Sequence, residues 1–270
     1  MTSPMELVVT DLDGTFWHTD DHLDDDVRRA VKELEARDIP LLVATGRRLN
    51  STRRPLAAFG LAPPAIVLNG ALGVDLATGE RFHVSPYADG EAALVLRAFR
   101  EVGLDPVVYV DDVVLEAYVS TTPSTHPGHL KVLEGNVATD DLERVTAEEP
   151  ILGFSLIGVE HGDAVAAQKA IGSLAETHLD RSIDFPGMAT FTVAPNDQSK
   201  WDGVVAFCSR MNIDSTRVLA LGDGTNDIEL LEEARVALAP TDGHSSARAL
   251  ATATIPSAKE GGWAAVLDYL

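Results

Sequence analysis

A single cysteine, Cys208, occurs in the 270 residues. No intramolecular disulfide can form, and neither a cysteine zinc site nor an extracellular disulfide scaffold fits. Basic residues are also scarce: 21 Lys and Arg stand against 42 Asp and Glu, a formal net charge of -21. A field of that sign repels phosphate backbones and anionic lipid heads, which disfavours nucleic-acid and membrane partners. The acids are scattered, so the excess reads as a solubility device, and an anionic ligand would need local positive charge or a metal to offset it. Nowhere do 18 apolar residues run together, and MTSPMELVVTD lacks a basic stretch leading into a long apolar one. A cytoplasmic protein is expected. There is no internal repeat, low-complexity tract or Gly-x-Ser-x-Gly elbow, and GDGTND lacks the third glycine of a dinucleotide fingerprint.

What is present suits a globular chain. Apolar residues make up 45% and charged ones 23%, and the length favours one large domain or, as expected here, two modest ones. Short apolar runs recur at Leu7 to Thr10, Pro40 to Ala44, Ala65 to Leu68, Val218 to Leu221 and Val236 to Ala239. Runs of this kind without alternation suit strands buried on both faces of a parallel sheet. Between the first two, LDDDVRRAVKELEARD carries acids in its first turn and Val27, Ala30, Val31 and Leu34 at helical spacing. The pattern predicts a parallel α/β unit.

The middle of the chain differs. From about Phe82 to Thr192 there are helix candidates at Gly90 to Val102 and Ala164 to Thr177. Strand candidates lie at Val107 to Val110, Leu115 to Val119, Leu152 to Ile157 and Ile183 to Phe185. Asp111 and Asp112 between two strands suggest a hairpin, hence antiparallel pairing in a separate α+β unit. The α/β pattern resumes after Lys200, so residues 82–192 are expected as an insertion into a core made of 1–81 and 193–270.

The stretch VVTDLDGTFWHTDD ends a buried strand on two carboxylates, Asp11 and Asp13, which costs stability unless a cation or a shared proton relieves them. A calcium loop counted from Asp11 fails, because its sixth and twelfth positions hold Phe16 and His22 rather than Gly and Glu. The carboxyl ends of strands are where open α/β sheets bind ligands. The other strand ends supply Thr45 and Gly46 in LVATGR, Asn69 in VLNGA, and Asp223, Asn226 and Asp227 in LALGDGTND, while NDQSK places Lys200 at a helix start. Four acids, a hydroxyl, two amides and a lysine at one edge are the parts for a magnesium ion and a phosphoryl group. His126 and His129, in TTPSTHPGHL, share an i, i+3 spacing but sit among Pro and Gly, where a flexible loop is expected instead of a metal site.

DLDGT, TGR, a lysine heading a later helix, and GDGTND, in that order, resemble the four motifs of the haloacid dehalogenase-like superfamily of phosphohydrolases. The position of the insertion resembles the Cof-like subfamily, with its type IIB α+β cap. The resemblance implies a Rossmann-like parallel core with an inserted α+β cap. It also implies a magnesium-dependent phosphatase acting on a small phosphorylated metabolite, a sugar phosphate or phosphorylated cofactor, through an aspartyl-phosphate. Asp11 would be the nucleophile and Asp13 the acid and base, with its backbone carbonyl on the metal. Asp223 would be a direct ligand, and Asp227 would ligate the metal or orient its waters; Thr45, Gly46, Lys200 and Asn226 would hold the phosphoryl oxygens. A phosphomutase on hexose phosphates and a non-catalytic phosphometabolite-binding regulator are the alternatives, and a monomer or weak homo-oligomer is expected. The chain departs from the family pattern in three places. Trp201 follows the lysine where glycine is usual, Phe16 and Trp17 replace smaller aliphatics, and APTDG stands in a loop expected to be peripheral.

Overall fold

Strand β1 (Leu7–Thr10) is buried at all four residues and sits near the centre of an eight-stranded sheet. The computed structural model describes residues 5–19, 22–112, 115–182, 185–196 and 198–270. It divides into two compact units, Met1–Val84 with Ser199–Leu270, and Ser85–Gln198. Numbering elements along the whole chain, the first unit contains β1, β2 (Leu41–Ala44), β3 (Pro64–Val67), β4 (Leu72–Asp75) and β5 (Arg81–Val84). After the chain returns come β12 (Val218–Leu221), β13 (Val236–Pro240) and β14 (Ala253–Ile255). The spatial order is β14-β13-β12-β1-β2-β3-β4-β5. All neighbours pair parallel from β14 to β3, and β4 and β5 extend the sheet antiparallel. The apolar runs thus form the parallel strands, as fully buried strands should. The antiparallel extension carries no such run: RFHV is only half buried, and His83 and Val84, past the boundary expected at Phe82, still pair with β4 in this sheet.

Helices α1 (Asp25–Ala36), α2 (Leu49–Ala58), α7 (Lys200–Met211), α8 (Ile228–Glu233) and α9 (Ser245–Leu250) belong to the same unit. In α1 the Asp24 side chain accepts from the Asp26 N–H, Asp25 and Asp26 complement the helix N-terminus, and Val27, Ala30, Val31 and Leu34 are buried. The start of α7 is fixed by Ser199, whose N–H and hydroxyl both donate to Asp202 Oδ2, at 2.8 and 3.1 Å. Val204, Phe207 and Cys208 on α7 then pack with Leu7, Val9, Leu42, Ala44, Ile66, Val218 and Ala220. Trp201 packs against this same cluster, so the bulky residue after Lys200 is absorbed by the core.

The second unit holds a six-stranded sheet, β10-β11-β9-β6-β7-β8. Its strands are β6 (Val107–Val110), β7 (Ala117–Val119), β8 (Val137–Thr139), β9 (Ile151–Val159), β10 (Glu176–Arg181) and β11 (Ala189–Ala194). Its helices are α3 (Glu91–Glu101), α4 (Pro127–Leu133), α5 (Leu142–Glu148) and α6 (His161–Ile171). Val95, Leu96 and Phe99 of α3 share a core with Phe154, Leu156, Phe191 and Ala167. β6 and β7 pair antiparallel as the two aspartates between them suggested. The helix expected over Ala164 to Thr177 ends at Ile171, with Gly172 at positive φ, because the polar segment ETHLDR pairs with β11 as an edge strand. Of the strand expected at Ile183 to Phe185, residues 183 and 184 lie outside the described residues, and Phe185 is in a bend. The segment with His126 and His129 is not a loop either. His126 caps α4, accepting from the Gly128 N–H, and His129 is buried with its Nδ1 2.9 Å from Thr125 Oγ1.

Gly70, in the turn after β3, has φ +114°, and a Cβ there would fall 2.2 Å from the Ser199 carbonyl oxygen. Gly70→Ala therefore strains the backbone and pushes on the start of α7 at once. The variant should lose about 2–4 kcal/mol of stability. All three tryptophans lie in the first unit, so their fluorescence during denaturant unfolding reads this loss; an unchanged midpoint would contradict the contact.

Candidate active site

The ends of β1, β2, β3 and β12 and the start of α7 meet at one edge of the first sheet. Lys200, the first residue of α7, is 1% exposed, and its Nζ donates to Asp11 Oδ1 at 2.7 Å and to Asp227 Oδ1 at 2.6 Å. The other oxygen of Asp227 accepts the backbone N–H groups of Asp223 and Gly224, at 3.0 and 2.8 Å. Asp223 Oδ1 accepts the Thr15 hydroxyl at 2.8 Å. Its Oδ2 faces Gly14, where a Cβ would lie 2.6 Å away and the φ of +79° suits glycine. The loop with APTDG is not peripheral: the His244 N–H donates to the Asp223 carbonyl at 2.7 Å, and Gly243 lies against the Asp223 Cβ.

Beside this cluster lies a ring of polar groups. Asn226 Nδ2 donates to Asn69 Oδ1 at 3.0 Å, and Gly46 sits so close that a Cβ there would meet that oxygen at 2.8 Å. The buried Thr45 hydroxyl accepts the Arg47 N–H at 3.2 Å. Leu68 and Asn69 both have positive φ, 53° and 54°. Two consecutive non-glycine residues there are strained, and such strain collects where side chains must be aimed.

Asp13 is drawn elsewhere. Its Oδ2 accepts from Arg47 Nε at 2.5 Å, and its Oδ1 from a terminal guanidinium nitrogen of Arg47 at 2.6 Å and from Trp17 Nε1 at 3.1 Å. The structure thus joins Asp11, Lys200, Asp223 and Asp227 directly, and sets Gly46 and Asn226 beside Asn69, with Thr45 at the same strand end. The Asp13 side chain points into an Arg47–Trp17 niche. Sequence reasoning passed over Arg47 and Thr15, and it named Asn69 at its strand end and Trp17 as a departure without giving either a role; the arginine of TGR was the available signal.

Charge explains the strain in this cluster. Burial pushes the Asp11 carboxyl well above the usual carboxylate range, Lys200 pulls it back, and the neighbouring Asp227, Asp223 and Asp13 push it up again. Burial likewise raises Asp223 to about 6, with Asp227 adding to the shift. Burial pulls the Lys200 ammonium down, but the charges of Asp11 and Asp227 outweigh it and the net shift is upward. Oxygens of Asp11, Asp223 and Asp227 lie within 4.8 Å of one another, an all-carboxylate donor set that fits a hard divalent cation such as Mg2+. With both Asp227 oxygens already engaged, Asp11 and Asp223 are the better placed to hold the ion.

Asp223 also makes a pH dependence. Its folded pKa of about 6 lies above the unfolded value of about 3.9. Its contribution to stability is therefore fully present below about pH 4 and lost as pH rises through about 6. In chelator, Asp223→Asn should melt about 3 °C above the parent at pH 7.5, with the gap closing at pH 4. A gap independent of pH would rule out the carboxylate as its source.

A family model described as haloacid dehalogenase-like hydrolase matches residues 8–267. Among curated relatives, a phosphoglycolate phosphatase of Methanopyrus kandleri is 27% identical, the match covering 98% of this chain and 96% of the relative. An HMP-PP phosphatase of an Enterobacter strain is 26% identical, covering 83% and 80%. Among solved structures, a haloacid dehalogenase-like hydrolase from B. subtilis superposes with a TM-score of 0.79 at 19% identity, covering 98% of this chain and all of that one. That likeness shows the fold, and the family model, matched over nearly the whole chain, shows that the protein belongs to the haloacid dehalogenase-like hydrolases.

Proposed function

We propose that the protein is a magnesium-dependent phosphatase that hydrolyses a small phosphorylated metabolite through an aspartyl-phosphate on Asp11. The observation that carries this reading is the Asp11 carboxylate held at 2.7 Å by the buried Lys200, at a strand end where Asp223 supplies a second acid. Lys200 and, when bound, the cation would offset the burial and neighbouring acids that push Asp11 up, so that its ionised carboxylate can act as the nucleophile, and the acyl phosphate it forms is readily hydrolysed. The phosphatase names of the relatives agree with it.

In this reading an oxygen of Asp11 attacks phosphorus, the bond to the leaving oxygen breaks, and Asp13 gives that oxygen a proton. Water then attacks the phosphoryl group, Asp13 takes up a proton from it, and the bond to Asp11 breaks to release inorganic phosphate. Bound at Asp11, Asp223 and the Asp13 backbone carbonyl, Mg2+ would supply charge neutralisation for the phosphoryl oxygens and the crowded carboxylates. Asp227 orients Lys200 and the Asp223 loop, while Thr45, Gly46 and Asn226 offer donors to the phosphoryl oxygens. The inserted unit, 85–198, supplies substrate selectivity. Among the described residues no helix is long and apolar enough to cross a membrane, and a cytoplasmic setting is proposed with the lone cysteine in view.

Asp11→Asn keeps the shape but removes the nucleophile, so phosphate release should fall at least about 1,000-fold with the fold intact. The assay is a screen across sugar phosphates, nucleotides, pyridoxal phosphate and flavin mononucleotide. Near-parental turnover in the variant would sink the mechanism, and an isomeric sugar phosphate in place of free phosphate would indicate a mutase. Chelator should abolish activity, Mg2+ should restore it, and Ca2+, with its larger and looser coordination, should not; full activity in Ca2+ alone would contradict the metal assignment.

A further inference from the structure

We propose that Trp17 is a positioning residue for proton transfer by Asp13, fixing which carboxyl oxygen carries the proton; this rests on the reading of Asp13 as the acid. The inference starts from a chain-specific feature, since a bulky indole follows the DLDGT motif. The loop closes on itself: the Trp17 N–H donates to the Leu12 carbonyl at 3.1 Å, and the Gly14 N–H to the Trp17 carbonyl at 3.0 Å. That closure brings the indole Nε1 to 3.1 Å from Asp13 Oδ1.

The indole is held on all sides. It is 1% exposed, meets Phe16 edge-on with ring centroids 5.7 Å apart, and meets Phe59, the residue that follows α2, at 6.0 Å. Phe16 in turn abuts Trp263 at 5.0 Å, and the Arg47 guanidinium lies 5.4 Å above the Trp17 ring. A ring so enclosed cannot turn its N–H away from Asp13 without repacking its neighbours.

An indole nitrogen is a donor only, and the hydroxyl oxygen of a protonated carboxyl is a poorer acceptor than its carbonyl oxygen, so the Trp17 N–H favours Oδ1 as the carbonyl oxygen. The transferable proton is thereby assigned to Oδ2. Arg47 cannot make this assignment, because its fork occupies both oxygens and the Oδ2 partner must yield before a proton can sit there. Trp17 thus keeps the carboxyl plane and the donor oxygen in place while Arg47 exchanges. In the step concerned, the phosphorus–oxygen bond breaks, its electron pair goes to the leaving oxygen, and that oxygen takes the proton from Oδ2.

The test uses leaving groups that differ in their need for that proton. An alkoxide needs it, whereas p-nitrophenolate spreads its charge into the ring and leaves without it. The parameter is kcat/KM, which stops at the first irreversible step and excludes the later use of Asp13 as base. Trp17→Phe keeps an aromatic ring and removes the N–H; Trp17→Leu restores the smaller aliphatic residue usual in the motif, so that one variant at least folds. Folding of each is checked by circular dichroism melting.

With Mg2+ present, both variants should lose about tenfold in kcat/KM for glycerol 2-phosphate and less than about threefold for p-nitrophenyl phosphate. Equal losses on the two esters would mean that Trp17 only packs, and no loss on either would mean that its N–H does not matter; both results overturn the proposal. Asp13→Asn is the control. A loss of at least about 100-fold confined to the alkyl ester supports the acid role, and an equal effect on both esters would remove the reading of Asp13 on its own account, whatever the Trp17 variants do.

Discussion

A buried ammonium between two carboxylates organises this molecule. Lys200 comes from the start of α7, Asp11 from the end of β1, and Asp227 from the turn after β12, residues 189 and 27 positions from the lysine. Each ion is costly to desolvate, and removing one partner of such a group costs about 3–5 kcal/mol because the others stay buried and uncompensated. The contact therefore ties three segments together and fixes the direction in which α7 must begin. The Ser199–Asp202 cap, the close approach at Gly70 and the packing of Val204 and Phe207 all serve to deliver that one side chain. Asp227 extends the constraint by taking two backbone N–H groups on its other oxygen, which holds the loop carrying Asp223.

The charge count shows why this arrangement suits a site better than a core. Burial raises Asp11 and Asp223 first, and because one lysine does not neutralise Asp11, Asp223 and Asp227 together, the neighbouring acids raise them further, a surplus of negative charge that a cation can relieve. A protein of net charge -21 concentrates its compensation locally, with Lys200 at one end of the site and Arg47 at the other. The lysine is sealed, while the arginine keeps 21% of its side-chain surface and so can exchange partners.

Much of the core could be read from sequence because the physics there is local. Four apolar residues in a row, followed by an acid, a Thr-Gly or an Asn-Gly, mark a buried parallel strand and its ligand-facing end, and those ends do converge. The α1 pattern was equally clear, because burial and the first-turn acids both leave a periodic trace. The antiparallel β4 and β5 left none: LGVD is buried but interrupted by Gly73 and ended by Asp75, and RFHV lies at the sheet edge and is only partly covered. ETHLDR looked like the tail of a helix because its strand identity comes from pairing with β11, across the turn that follows it, and not from any periodicity of its own. The Asp13 niche was hidden for a related reason. That Trp17 and Arg47 both point at one carboxylate depends on how the loop over residues 12–17 folds back, which side-chain types alone do not reveal.

The antiparallel extension has an evolutionary consequence. The chain leaves the first sheet from β5 and comes back as α7, and β5 packs against α7. Departure and return are thus neighbours on one corner of the core. For ends held that close, doubling the intervening length costs only about 0.6 kcal/mol in closure entropy. The core consequently places little restriction on the size or architecture of whatever is spliced between residues 84 and 199. A lineage built on this plan can replace the intervening segment wholesale without revising a single strand of the sheet that holds Asp11.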